Sequence, residues 1–205
     1  MAKLYFRYGA MNSGKSTALL QAAFNYEERG QQVVLAKPGI DTKGDADIVS
    51  RLGVTRRVDL LIGREDDLWG QVVAYRKELL SQTQRDLACV LIDEAQFLTA
   101  EQVDAAMKVA ILENIPVLAY GIRTDFQTVA FPGSRRLLEV AHSLEELKTI
   151  WRCGRKALFN ARRIAGRFVF DGDQVAIDEG EVTYESLCGS CYLQESGGTL
   201  APGQK

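Results

Sequence analysis

Between Gly9 and Thr17 the chain reads GAMNSGKST: a glycine, four residues, then Gly14-Lys15-Ser16. Glycines at this spacing let the backbone of Gly9, Ala10, Met11, Asn12, Ser13 and Gly14 turn so that successive N–H groups point inward. The positive end of a following helix adds to that field, and together they make a cradle for phosphate. Lys15 reaches the terminal phosphates, and Ser16, next to Thr17, offers a hydroxyl to magnesium. The bland alternative is a glycine-rich turn. The segment follows an apolar run, Leu4 to Tyr8, that reads as a strand, and it precedes helical sequence, the setting a phosphate cradle requires.

A second element, CVLIDEAQFL over residues 89–98, has a matching logic. An apolar strand ending in Asp93 puts a carboxylate at the lip of a sheet, where it can hold Mg²⁺ or its waters beside phosphates. Standing alone, Asp93 and Glu94 would read as a solvated turn; paired with the loop, they read as machinery for phosphoryl transfer. Glu94 is then the general base, accepting the proton of an attacking hydroxyl or water. A guanine-reading Asn-Lys-x-Asp is absent. Asp-Glu after a strand also suits a nucleic-acid-stimulated ATPase, but such enzymes commonly grip a strand with two domains. A stand-alone ATPase or loader module is therefore the competing reading.

The positioning elements follow from hydrophobic patterning. Leu4 to Tyr8, Gln32 to Ala36, Arg57 to Leu61, Ala88 to Ile92 and Ile115 to Tyr120 read as strands, several of them continuous apolar runs suited to a parallel sheet buried on both faces. Leu19, Ala22, Ala23 and Tyr26 share one face of a helix ending near Gly30. A capping box, Thr99 to Gln102, opens another that presents Val103, Ala106, Met107, Ala110 and Ile111 and stops near Asn114. The alternation predicts an α/β fold, a P-loop parallel sheet with flanking helices that binds ligands at the carboxyl ends of its strands.

With 205 residues the chain can bury one full-sized core and carry a small appendage. We divide it into a nucleotide-binding domain over 1–149, a small subdomain over 150–193 and a polar tail over 194–205. A net charge of −2 argues against a protein that coats nucleic acid. Charge is segregated, however: Lys148, Arg152, Arg155, Lys156, Arg162, Arg163 and Arg167 lie in a stretch without acids, either facing phosphate or forming a solvated face. No apolar run reaches the ~18 residues of a membrane span and the start lacks the layout of a secretory signal, so a cytoplasmic protein without a membrane partner is expected. The four cysteines, Cys89, Cys153, Cys188 and Cys191, are then thiols or metal ligands, Cys89 being a buried thiol of a core strand.

AMNSGKSTALL, LIDEAQFL, YGIRTDFQ with FPGSRRLLE, ELKTI, CGRKA and VTYESLCGSCY occur in that order over about residues 4–192, and the chain so resembles the thymidine kinase family. The resemblance implies transfer of the γ-phosphate of ATP, with Mg²⁺, to the 5′-hydroxyl of thymidine. It also implies deoxyuridine as a second substrate, a homotetramer, and inhibition by the end product dTTP. Carried onto this sequence, it assigns Gly9 to Thr17, Asp93, Gln96 and Arg162 to ATP and its phosphates, and Ser16 and Asp93 to magnesium. Glu94 becomes the base. Met11, Arg123, Phe126 and Phe131 fall to the nucleoside site, as do Val175, Ala176, Ile177 and Tyr184 in a lasso over 174–188 that closes on the base. For Phe126 and Phe131, ordinary core packing is the alternative.

The family's lasso is held by a structural zinc unit, a zinc-ribbon-like subdomain with four ligands in two close pairs. Here Cys188-Gly-Ser-Cys191 makes one pair, but the positions just before Cys153 hold Ile150 and Trp151, leaving the fourth ligand unknown: His142, an acid, or none. Two further departures are Asp41-Thr-Lys43 in place of Asp-x-Arg, which loses arginine's bidentate fork, and Asp-Glu-Gly in the lasso where Gly-Gly is common.

Overall fold

The computed structural model describes residues 1–39, 46–174 and 182–200. In chain order the elements are β1 (Leu4–Tyr8), α1 (Lys15–Glu27), β2 (Gln32–Pro38), β3 (Asp47–Val49), β4 (Thr55–Arg57), β5 (Leu60–Ile62), α2 (Leu68–Thr83) and β6 (Leu87–Ile92). After a 3₁₀ turn at Ala95–Phe97 come α3 (Ala100–Leu112), β7 (Val117–Gly121), α4 (Pro132–Val140), β8 (Ser143–Glu146), β9 (Phe159–Ile164), β10 (Arg167–Val169), β11 (Val182–Leu187) and α5 (Gly189–Glu195).

Side chains alternate across a strand, and here both faces of the strands are apolar. Leu4, Phe6, Val34, Ala36, Val90, Ile92, Val117 and Ala119 pack on one side with Leu68 and Val72 of α2, Val103 and Ala106 of α3, and Leu137 of α4. Val33, Leu35, Cys89, Leu91, Leu118 and Tyr120 pack on the other with Leu19 and Ala23 of α1. The result is a six-stranded sheet in the order β5-β2-β6-β7-β1-β8, with every pairing parallel. The α/β fold expected from the sequence is therefore the observed one. Parallel pairing brings all carboxyl ends to one edge, and the register aligns Phe6 with Ala119 and Ala119 with Ile92. The chain leaving β1 into Gly9 and the chain leaving β6 into Asp93 therefore emerge together, separated by β7.

Two details differ from the sequence reading. The run Arg57 to Leu61 is not one strand: Arg57 closes β4 in an antiparallel hairpin with β3, whereas Leu60 opens β5 in the main sheet. Asp59 makes the break, because its carboxylate accepts the Leu35 N–H at 2.8 Å while its own N–H donates to the Leu35 carbonyl. In α3 the capping box forms as expected. However, Ile111 is exposed and Val109 is buried in its place, because α2 and α4 pack on flanks that a single-face reading does not anticipate.

Gly133, in the first turn of α4, sits against the 3₁₀ turn so tightly that a Cβ would lie 2.6 Å from the carbonyl oxygens of Ala95 and Leu98 and 2.9 Å from that of Gln96. Backbone oxygens cannot swing aside as a side chain can. Gly133→Ala is expected to cost about 1–3 kcal/mol in urea unfolding; an unchanged midpoint would mean that α4 can slide without penalty.

After residue 150 the chain forms a separate antiparallel sheet, β10-β9-β11. Its core is Ala161, Leu187 and Tyr192, with Trp151, Phe159, Phe168 and Phe170 packed around them. Among the described residues no helix is long and apolar enough to cross a membrane.

Candidate active site

Gly14 caps α1 with φ +77, a left-handed conformation that glycine adopts without strain. Gly9 is required for space: a Cβ there would lie 2.5 Å from the Leu147 carbonyl oxygen and 2.4 Å from Ser13 Oγ. Lys15 folds its ammonium back over the loop, donating to the Ala10 carbonyl at 3.0 Å and to Ser13 Oγ at 3.5 Å. Burial lowers its pKa, against the opposing pull of Glu94 and Asp93. A desolvated ammonium held by neutral acceptors is poised to gain from an anion.

Ser16 Oγ lies 3.2 Å from Asp93 Oδ2, so the loop and the strand-end acid meet. Asp93 is 4% exposed, and burial, followed by the Glu94 charge, pushes its pKa up to about 6. A cation set between Ser16 and Asp93 would reverse that shift, so the donor set suits a hard divalent ion. Glu94 adopts φ +50, a conformation that costs a non-glycine residue on the order of 1–3 kcal/mol and recurs at functional sites. Gln96 holds it there. The Gln96 amide donates to Glu94 Oε2, and its Oε1 accepts the Ile122 N–H at 3.2 Å. Gly121 makes room, since a Cβ would fall 2.7 Å from Gln96 Oε1.

The phosphate loop is also clamped from the second sheet. Asn160 of β9 accepts the Met11 N–H at 2.7 Å and donates to the Thr124 carbonyl at 2.9 Å, and the Ser186 hydroxyl donates to the Met11 carbonyl. Neither Asn160 nor Ser186 is legible as a site residue in the sequence, because contacts 149 and 175 residues apart leave no local pattern.

Phe126 and Phe131 are both buried. Phe131 meets Phe97 edge-on at 5.4 Å. Phe126 carries the Arg162 guanidinium 3.8 Å above its ring, and Tyr184 lies 5.8 Å from the same group. Arg162 also donates to the carbonyls of Asp173 and Gln174. Its described contacts are thus with the aromatic group and not with the phosphate loop, a location the sequence reading did not foresee. Arg123 likewise faces Tyr8, 6.0 Å from its ring. Asp125 organises this corner: Oδ1 accepts the N–H groups of Gln127 and Val129 and Oδ2 accepts the Gln174 amide at 3.0 Å, while Tyr192 O–H donates to the Phe126 carbonyl at 2.7 Å. Val175, Ala176 and Ile177, together with Asp41 and Lys43, lie outside the described residues.

Cys153, Cys188 and Cys191 come together with their sulfurs all within 4.8 Å of one another. Tetrahedral zinc with Zn–S near 2.3 Å sets ligand sulfurs about 3.8 Å apart, so these donors fit a structural metal. The Cys191 backbone N–H lies 3.5 Å from Cys188 Sγ and lowers that thiol to about 7. His142 is not the missing ligand, because its Nδ1 accepts the Leu4 N–H at the amino end of β1. Trp151 packs into the small core, as does Cys191. Among the described residues no fourth His, Cys, Asp or Glu joins the cluster.

A parallel sheet with a phosphate cradle on its first strand, a buried acid two strands away and an accessory sheet beside a cluster of three cysteines defines a phosphate-loop α/β protein. Residues 2–192 match the family model described as thymidine kinase. The chain is 46% identical over 207 residues to the thymidine kinase of Legionella pneumophila (strain Paris), covering 100% of this chain and 96% of that one. It is 46% identical over 194 residues to that of Chromobacterium violaceum, covering 94% and 98%, and 43% identical over 190 residues to that of Enterobacteria phage T4, covering 92% and 94%. The chain belongs to the thymidine kinase family, a family of transferases.

Proposed function

We propose that this chain transfers the γ-phosphate of ATP to the 5′-hydroxyl of thymidine, giving dTMP and ADP, with deoxyuridine as a second acceptor. The observation that carries the reading is the junction of Ser16 with Asp93 and the adjoining, Gln96-held Glu94 at one sheet edge, in a chain similar throughout its length to thymidine kinases. Gly9 to Thr17 cradle the phosphates and Lys15 neutralises the terminal ones. Ser16 and Asp93 would hold magnesium, which when bound would supply charge neutralisation for the transferring phosphate. Glu94 takes the proton of the 5′-hydroxyl as its oxygen bonds to the γ-phosphorus and the bond to the β-phosphate oxygen breaks.

Phe126, Phe131, Met11, Arg123 and Tyr184, with Val175, Ala176 and Ile177 of the lasso, bind the nucleoside. A thymine edge left without partners costs about 1–3 kcal/mol, which makes a closed site selective. Arg162 stiffens the wall behind Phe126. The product feeds DNA precursor synthesis by nucleoside salvage in the cytoplasm, the assembly is a homotetramer, and dTTP inhibits it.

The test is product formation from ATP and Mg²⁺ with each common nucleoside, beside a single-stranded DNA control for stimulated ATP hydrolysis. Phosphorylation confined to thymidine and deoxyuridine is expected; hydrolysis that only DNA stimulates would establish the ATPase module instead. Cys153, Cys188 and Cys191 would hold zinc, which when bound would tie the accessory sheet together. Metal analysis of the purified protein is expected to give about one zinc per chain, and Cys188→Ser well under half of that. A metal-free wild type would reject the zinc.

A further inference from the structure

We infer that Arg51, at the tip of the β3–β4 hairpin, closes onto the phosphates of the triphosphate donor and stabilises the transferring phosphoryl group. The inference rests on the kinase reading above. The observation behind it is a cleft of about 210 Å³ in which Arg51 and Val49 of the hairpin face Asn12, Lys15, Thr17 and Glu94. Arg51 is exposed, and among the described residues it has no acidic partner in any ion pair.

The hairpin is built to aim that side chain. Its base is fixed by burial of Ile48 and Val58 against α1 and the sheet, and by Arg56, which pairs with both oxygens of Glu27 on α1 at 2.7 and 2.6 Å. Its tip is a tight turn. Ser50 N–H donates to the Val54 carbonyl at 2.8 Å and Gly53 N–H to the Ser50 carbonyl at 3.0 Å, Ser50 Oγ accepts the Val54 N–H at 3.1 Å, and Gly53 supplies φ +82. Arg51 is the second residue of that turn, so it leaves a rigid stem on a long side chain.

Two cations then face one cleft. The Arg51 charge works against the Lys15 ammonium, a repulsion that a polyanion lying between them relieves. A planar guanidinium can bridge two phosphate oxygens where an ammonium cannot. Charge spread over the oxygens of a transferring phosphoryl group is what such a fork stabilises in phosphoryl-transfer enzymes generally. The sequence gives little warning, because Arg51 lies in a short turn remote from the loop motif.

The experiment compares wild type with Arg51→Ala and Arg51→Lys. It measures thymidine phosphorylation, Mg·ATP affinity by calorimetry without acceptor, and thermal unfolding. Arg51→Ala is expected to lower kcat by about 10²-fold, weaken Mg·ATP binding by about fivefold, leave the thymidine KM within about threefold and leave unfolding unchanged. Arg51→Lys should recover only part of the loss, and millimolar guanidinium should partly rescue the alanine variant but not the lysine one. A kcat for Arg51→Ala within twofold of wild type would overturn the inference. Should the wild type phosphorylate no nucleoside, that failure belongs to the kinase reading. Mg·ATP affinity then decides for Arg51, with equal affinity in wild type and Arg51→Ala overturning its phosphate contact.

Discussion

Glu94→Gln is expected to lower thymidine phosphorylation by about 10³-fold while Mg·ATP and thymidine bind within a few-fold of wild type. The size follows from the worth of a positioned general base, about 10²–10⁴-fold. The selectivity follows from the geometry. Glu94 is held in a left-handed conformation by Gln96, whose amide donates to Glu94 Oε2. A glutamine there can still present its carbonyl oxygen to that amide, so the turn, the cleft and the Gln96–Ile122 contact survive. What is lost is the ability to accept a proton. Single-turnover measurements with saturating substrates isolate the transfer step, and a variant retaining a tenth or more of the wild-type rate would remove Glu94 from proton transfer. A structural role would show instead as weaker binding and a lower unfolding midpoint.

Asp93→Asn is expected to move stability and activity in opposite directions. The folded carboxyl titrates at about 6, against 3.8 for its ordinary value, chiefly because it is buried. The folded state therefore holds this proton more tightly than the unfolded chain. In metal-free protein this group's share of stability is intact below pH about 4, declines as pH rises through the 4–6 window, and is lowest above it. A difference of that size corresponds to about 3 kcal/mol. Asparagine keeps an acceptor for Ser16 Oγ and removes the charge. The metal-free variant should thus be more stable than wild type at pH 7 by up to about 3 kcal/mol, with the difference vanishing near pH 4. Phosphoryl transfer should meanwhile fall by about 10²–10³-fold, because in the proposed reaction Asp93 is the carboxylate that would hold magnesium. Urea unfolding in a chelator at several pH values reads the first effect; a wild-type minus variant difference that does not change between pH 4 and 7 would refute it.

How much of this was visible beforehand depends on the sequence distance over which each feature is encoded. The phosphate loop is contiguous, and its requirements are local: a glycine where a Cβ would strike Leu147 and Ser13, and another at φ +77. The Thr99–Gln102 capping box is local too, closing over three residues. Glu94 could be nominated from its place after an apolar strand, but its support could not. Gln96 receives its orientation from Ile122, 26 residues on. Arg162 was legible as one member of a basic run, which the family resemblance assigned to the phosphates. Its stacking on Phe126 and its carbonyl contacts depend on a cross-sheet meeting that charge patterning does not record.

The sequence by itself therefore determined the phosphate cradle, the acid pair, the buried parallel strands and the Cys188–Cys191 pair, because each rests on spacing within a few residues or on strand and helix periodicity. Only the tertiary structure decided that Arg57 and Leu60 belong to different sheets, that His142 serves β1 and not the cysteines, and that Asn160 and Ser186 clamp Met11. It alone brought Arg51 to the cleft. The physical reason is common to all four. Hydrogen bonds and burial between residues far apart in the chain are fixed by which strands pair and in what order, and that order is set by the packing of the whole core on both faces of the sheet.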